Sequence, residues 1–332
     1  MSVRPDLSLD IGSLHLANPV MPASGCFGPE LGDLIDLDRL GALVTKTIFF
    51  DRRSGNPADR LTETGGVMLN SVGIPSPGID GFLTSVLPRY VASSPPTIVS
   101  IGGLTIGEYE RVAARLDGVS GIAAIEVNIS CPNLEAGGLE IGSDPMAVEA
   151  VVRSVVARTS VPIIAKLTPN VTSIVEIAQA AEAGGATAVS AINTLLGLGV
   201  SLEARRPLLG NGAGGVSGPA IKPVALRMVS EVAQAVRIPV IGVGGIATAR
   251  DALQFLAVGA AAVQVGTATF THPDSMLRVI DGIEAWMRER GLHSLGQITA
   301  TIGKRAPERA DVAASALPRI RATALEAPMG HP

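Results

Sequence analysis

The 332-residue chain has few aromatic residues, two cysteines, four histidines and no basic cluster, and each scarcity excludes something. With 3% aromatics and a single Trp, the core must be built from small branched side chains. Cys26 and Cys131 cannot form a disulfide framework, and neither sits in a CxxC metal pattern. They are also too few for an iron–sulfur cluster, which normally takes about four thiolates. His15, His272, His293 and His331 are scattered, so no metal site is expected. A net charge of −4 without a basic patch leaves nothing to track nucleic-acid phosphates. Charged residues make up only 17% against 47% hydrophobic, which is too little charge for disorder and enough apolar matter for a large core.

A mean hydropathy of +0.39 raises the question of a membrane. Two uncharged stretches, Ala183 to Ser201 and Phe255 to Pro273, approach spanning length. Both are broken by Gly, Asn, Gln or Thr, and each holds a β-branched run flanked by glycine. Parallel strands covered on both faces give that texture, because alternation disappears when both sides are buried. The opening MSVRPDLSLDIGSLHL has no charged-then-apolar signal layout. A cytoplasmic protein without a membrane anchor is expected.

Eight short β-rich segments punctuate the chain: Pro19–Ser24, Leu43–Ile48, Thr97–Gly103, Ala123–Ser130, Pro162–Thr168, Ala188–Thr194, Pro239–Gly245 and Ala262–Ala268. Helical spacing lies between most of them, as over Val171–Ala183, Val224–Val236 and Ala249–Leu256. Strand–helix alternation repeated about eight times in this length predicts an α/β fold, a (β/α)8 TIM barrel. An open doubly wound sheet would show one glycine fingerprint after its first strand, whereas here glycines recur at many strand ends. The first sixteen residues read as an N-terminal hairpin closing the barrel bottom. Phe49 to Pro96 and Leu195 to Pro219 are long active-site loops, the second a glycine-rich lid. One domain over residues 1–300 is expected, with 301–332 a flexible C-terminal extension.

In such a barrel the chemistry sits where strands end. Ala23-Ser24-Gly25, Lys46-Thr47, the stretch from Asn128 through Cys131 to Asn133, Lys166, Asn193-Thr194, Gly244-Gly245 and Gly266-Thr267 all fall there. The glycines after strands seven and eight read as a phosphate cradle rather than as mere tight turns, since they let backbone N–H groups approach an anion. A lone cysteine is usually a buried small hydrophobe, and Cys26 is read so. Cys131 differs, lying before proline in a polar loop. Lys46 and Lys166 could be solvated surface charges, but they lie inside apolar strands, where an ammonium is costly to bury without an anion or polar ligand.

The ordered motifs Asn18-Pro-Val-Met-Pro-Ala-Ser-Gly25, Thr45-Lys-Thr47, Leu69-Asn-Ser-Val-Gly-Ile74, Asn128-Ile-Ser-Cys-Pro-Asn133, Gly142-Ser-Asp-Pro145, Ile192-Asn-Thr194 and Gly214-Gly-Val-Ser-Gly218 resemble class 1 dihydroorotate dehydrogenases, in particular their B type. The match runs from about Leu7 to Gly296. The resemblance implies oxidation of dihydroorotate to orotate in pyrimidine biosynthesis, with Cys131 removing the C5 proton and the C6 hydride passing to FMN. It implies that Asn70, Asn128, Asn133, Asn193 and Thr194 hold the substrate, with Lys46 and the Ser71, Val72, Gly73 and Ile74 backbone assisting. It implies an FMN site formed by Ala23, Ser24, Gly25, Lys46, Thr47, Asn128, Lys166, Ile192, Gly218, Gly244, Gly245, Gly266 and Thr267. B-type relatives pass electrons to NAD through a second subunit carrying FAD and an iron–sulfur cluster, and a homodimeric core is expected. Val99-Ser100-Ile101 departs from relatives that carry Asn in this strand, and Gly73-Ile-Pro-Ser-Pro77 from those with Gln-Asn before the last Pro. The alternatives are a fumarate-dependent A-type enzyme, a dihydropyrimidine dehydrogenase-like flavoprotein and a catalytically silent flavin-binding subunit. The second would want a cysteine near Gly142-Ser-Asp144, where there is none. The third would have lost Cys131, Lys46 or the asparagines.

Overall fold

The computed structural model describes residues 4–130, 132–133 and 139–302. Eight parallel strands form its centre: β1 Val20–Pro22, β2 Leu43–Val44, β3 Thr97–Ile101, β4 Ile122–Asn128, β5 Ile163–Leu167, β6 Ala188–Ala191, β7 Val240–Val243 and β8 Ala262–Val265. Their lateral order is 1-8-7-6-5-4-3-2, so each strand lies beside its neighbours in sequence. Between the two edges, the Gly41 N–H donates to the Val20 carbonyl at 2.8 Å and brings the ring almost to closure. Gly41 is obligatory there, because a Cβ would lie 2.1 Å from the Asn18 carbonyl oxygen. The expected eight-stranded barrel is what the chain forms.

Side chains alternate across each strand, and both faces are buried for different reasons. Met21, Val44, Ile98, Ala124, Ile164, Ala188, Ile241 and Ala262, one from each strand, meet inside the ring. Ile11, Leu14 and Leu16 join that cluster from an N-terminal hairpin, Leu9–Ile11 with Leu14–Leu16, which plugs the bottom as expected. The intervening residues, such as Ile125, Val127, Ile163 and Val189, pack outward against helices. Burying each such branched side chain contributes about 1.5–3 kcal/mol, which explains how a core so poor in aromatics can suffice.

The helices start where small polar residues cap them. Thr105, Asp144 and Ser173 accept from Glu108, Met146 and Glu176 amides at the starts of Ile106–Leu116, Pro145–Val156 and Ile174–Ala183. The Ser173 cap makes the third of these begin three residues later than the apolar spacing from Val171 suggested. In the first, Tyr109, Val112, Ala113 and Leu116 form the buried stripe.

The two long loops differ from expectation. Strands Leu61–Thr64 and Val67–Asn70 from the first pair with Leu195–Gly197 and Gly214–Ser217 from the second in a four-stranded antiparallel sheet beside the barrel mouth. Gly215 pairs with Asn70 and Gly197 with Gly214. The glycine-rich segment is therefore hydrogen-bonded strand over much of its length. Among the described residues no helix is long and apolar enough to cross a membrane. The tail from 303 onward lies outside the described residues.

Candidate active site

Two residues along from the apolar inner layer, every other side chain again points inward, but its character changes. These positions are Ala23, Lys46, Ser100, Glu126, Lys166, Ser190, Val243 and Gln264, all buried except Lys46. The barrel is thus dry at its bottom and polar above. At the upper ends of the strands a cavity of about 460 Å³ opens, within the range of small-molecule sites.

Of the residues named from sequence, Ala23, Ser24, Gly25, Lys46, Thr47, Asn70, Ser71, Val72, Ile74 and Asn128 line this one cavity. So do Lys166, Ile192, Asn193, Thr194, Gly218, Gly244, Gly245, Gly266 and Thr267. Gly73 does not; its φ is +73°, and a Cβ there would meet Asn56. Cys131 lies outside the described residues, and of Asn133 only the backbone is described, in a short pair with Leu139. Ile74 carries a φ of +46°, rare for a β-branched residue, and such strain clusters at ligand sites.

The asparagines are held by hydrogen bonds. Asn128 Nδ2 donates to Thr47 Oγ1 at 3.3 Å, and its Oδ1 accepts from Ser130 N–H at 3.2 Å and Asn193 Nδ2 at 3.3 Å. The Tyr109 hydroxyl donates to the Asn128 carbonyl at 2.7 Å. Asn70 Nδ2 donates to the Gly215 carbonyl at 3.3 Å, across the antiparallel sheet. Ser100 does not line the cavity; it bonds Thr47 at 2.9 Å, and Thr47 in turn reaches Ser24 at 3.3 Å. The serine therefore fixes Thr47 from behind the cavity wall.

Two cations and a thiol face the same space. Partial desolvation pushes the otherwise exposed Lys46 below the ordinary lysine range and Arg60 adds to this, while Glu30 and Cys26 oppose it. Burial pushes the Cys26 thiol up to about 11 against the pull of Lys166 and Lys46, so it is a neutral thiol at physiological pH. Sequence reading took Cys26 as a small hydrophobe; the fold brings both lysines near it. It also missed Thr168, Asn170, Ile246 and Ala247 in the lining. Thr168 lies two residues beyond Lys166, so strand alternation was the signal that would have found it.

The turn after β7 lies at the edge of the cavity. Gly244 and Gly245 have φ of +128° and +72° and lead to the helix Ala249–Ala257. Thr248 caps that helix in a reciprocal box with Asp251. Asp251 Oδ2 accepts from the Ala247 and Thr248 N–H groups at 3.1 and 2.9 Å and from Thr248 Oγ1 at 2.8 Å, while its other oxygen pairs with Lys222. Burial raises the Asp251 pKa, but Lys222 and the Thr248 and Ala247 hydrogen bonds together outweigh it and hold the carboxyl below the usual range. A depressed folded value stabilises above the unfolded pKa and fades as pH falls through the folded one. Asp251→Asn is therefore expected to lose about 1–2 kcal/mol at pH 7. Thermal unfolding should show that difference shrinking below about pH 4; a pH-independent difference would reject the ionic part of this account. Among the described residues no cluster of three or more His, Cys, Asp or Glu could hold a metal ion.

A family model described as dihydroorotate dehydrogenase matches residues 6–287, from the N-terminal hairpin to the last long helix. The protein named dihydroorotate dehydrogenase B (NAD(+)), catalytic subunit, of Trichlorobacter lovleyi is 49% identical over 302 residues, covering 90% of this chain and 99% of the relative. That of Desulforudis audaxviator is 51% identical over 290 residues, 87% of this chain and 94% of the relative. That of Geobacter sp. (strain M21) is 48% identical over 301 residues. The similarity runs through every strand that builds the cavity, and this chain belongs to the dihydroorotate dehydrogenase family.

Proposed function

We propose that the protein oxidises (S)-dihydroorotate to orotate on FMN, as the catalytic half of a B-type enzyme acting in pyrimidine biosynthesis. The carrying observation is the convergence of Lys46, Lys166, Asn70, Asn128 and Asn193 with the glycine turns after β7 and β8 on one cavity. The residues fit a flavin mononucleotide. The Gly244-Gly245 turn would hold the phosphate, and it keeps its shape only with glycine, since a Cβ on Gly245 would meet the Gly218 carbonyl at 2.9 Å. Gly266 and Thr267 border the same end, Ser24, Thr47, Ile192 and Gly218 would wall the group, and Lys166 would supply cationic charge. When bound, FMN supplies the acceptor for the hydride from C6.

The protein's own residues do the rest. Asn70, Asn128, Asn133 and Asn193 present amide donors and acceptors that suit a planar ring of carbonyl and N–H groups, with Lys46 directed at its carboxylate. Thr194 and the Ser71 to Ile74 loop close the substrate side, and Cys131, as thiolate, takes the proton from C5. Cys26, half-buried and held neutral, is unsuited to that task. With two cysteines in the chain, an iron–sulfur cluster and FAD for transfer to NAD belong to a second polypeptide. The names of the relatives, a catalytic subunit using NAD(+), support that route.

The test is anaerobic mixing of purified protein with dihydroorotate while the visible flavin absorbance is followed. Rapid bleaching is expected, followed by recovery with NAD only when the partner subunit is added. A flavin that stays oxidised with dihydroorotate but bleaches with dihydrouracil would overturn the substrate assignment.

A further inference from the structure

The polar layer inside the barrel holds a buried acid that the chemistry above does not use. Glu126 of β4 is fully buried, as are Ser190 of β6 and Gln264 of β8. Lys166 Nζ donates to Gln264 Oε1 at 2.9 Å, Gln264 Nε2 donates to Glu126 Oε2 at 2.7 Å, and Ser190 Oγ donates to the same oxygen at 3.1 Å. Four strands thus contribute to one chain of hydrogen bonds beneath the cavity floor. Lys166 alone of these residues lines the cavity.

The polarity of this chain is forced. An ammonium can only donate, so the Gln264 amide must turn its oxygen to Lys166 and its N–H2 to Glu126. The N–H2 can only donate as well, so Glu126 must accept. Its other oxygen, Oε1, is buried without a hydrogen-bond partner among the described residues. Glu126 thus anchors the Gln264 amide in the one orientation that presents an oxygen to the buried ammonium. The titratable groups lining the cavity among the described residues are Lys166, Lys46 and Cys26, and none of these is an anion at neutral pH.

We infer that Glu126 and Gln264 are positioning residues that hold the Lys166 ammonium aimed into the cavity from below. The inference rests on the flavin reading for its consequence but not for its geometry. Without the relay Lys166 is free to swing, and its charge is no longer fixed where a reduced flavin develops negative charge.

The chain has only four lysines, Lys46, Lys166, Lys222 and Lys304, so protein labelled with 13C at the lysine ε-carbon gives four signals. The Lys166 signal is assigned by its loss in Lys166→Arg. In the flavin-bound wild type its relaxation should be that of an immobilised side chain. In Gln264→Met, close in volume, and in Glu126→Leu it should become motionally averaged, while Lys46 keeps its wild-type relaxation. Glu126→Gln retains an acceptor oxygen and should restore the rigid signal. In Gln264→Met the flavin reduction potential should fall, and flavin reduction by dihydroorotate should slow about tenfold. A Lys166 signal as rigid in Gln264→Met as in the wild type overturns the inference, and that variant decides the matter if Glu126→Leu does not fold. Loss of rigidity at Lys46 as well would reduce the relay to a general packing role. A protein that holds no flavin, or is not reduced by dihydroorotate, refutes the functional reading while the lysine relaxation still decides this one.

Discussion

Cys131→Ala is expected to bind flavin like the wild type and to be reduced by dihydroorotate about a thousandfold more slowly at neutral pH. A positioned general base contributes about 100- to 10,000-fold, and removal of the thiol leaves the C5 proton to water or hydroxide. Partial recovery as pH rises is the second expected sign, because hydroxide then replaces the missing base. Although Cys131 lies outside the described residues, the strand that delivers it does not. Asn128 is anchored through its carbonyl by Tyr109 and through its side chain by Thr47, Ser130 and Asn193. Asn128 and Ser130, which precede Cys131, line the same cavity as Lys46 and Lys166. Anaerobic stopped-flow absorbance reads the rate directly. Reduction at the wild-type rate in Cys131→Ala would remove the cysteine from the chemistry.

The second large effect is expected at the turn after β7. Gly245→Ala should yield protein whose affinity for flavin is weakened at least about a hundredfold, and which melts at lower temperature. The φ of +72° costs a residue with a Cβ about 1–2 kcal/mol. Here the Cβ would also lie 2.9 Å from the Gly218 carbonyl oxygen and from the Lys222 backbone nitrogen and Cβ, so the turn cannot keep its shape. Gly118→Ala is the control, with a φ of +71° and nothing within 4 Å of the added Cβ. It should lose the backbone cost alone and bind flavin normally. Equilibrium dialysis of flavin, with thermal unfolding of both variants, separates strain from collision. Normal flavin affinity in Gly245→Ala would place the phosphate elsewhere.

How much of this was legible in the sequence depended on the range of the interaction. The barrel could be read because each strand is a local event, a β-branched run closed by glycine, and parallel neighbours must be joined by helices. Lys166 could be read because an ammonium inside an apolar strand is costly wherever that strand ends up, whereas Lys46, read in the same way, lies exposed at the cavity mouth. By the same reasoning Glu126, in the run Ile122–Asn128, and Gln264, in Ala262–Val265, ought to have been singled out. They were not, because an acid or an amide without a partner in sequence suggests no role.

The alternation of apolar, glycine and polar residues along the chain determined the eight-stranded barrel, the hairpin beneath it and the ends of the strands where chemistry gathers. Tertiary structure alone decided that the two long loops pair as one sheet, that Cys26 lies near both lysines, and that Lys166 is tied to Glu126 through Gln264. Those partners stand far apart in the chain, Lys166 and Gln264 by 98 residues and Gln264 and Glu126 by 138. Local propensity carries no information across such distances; only closure of the ring, which points every second residue of all eight strands at a common axis, brings them within hydrogen-bonding reach.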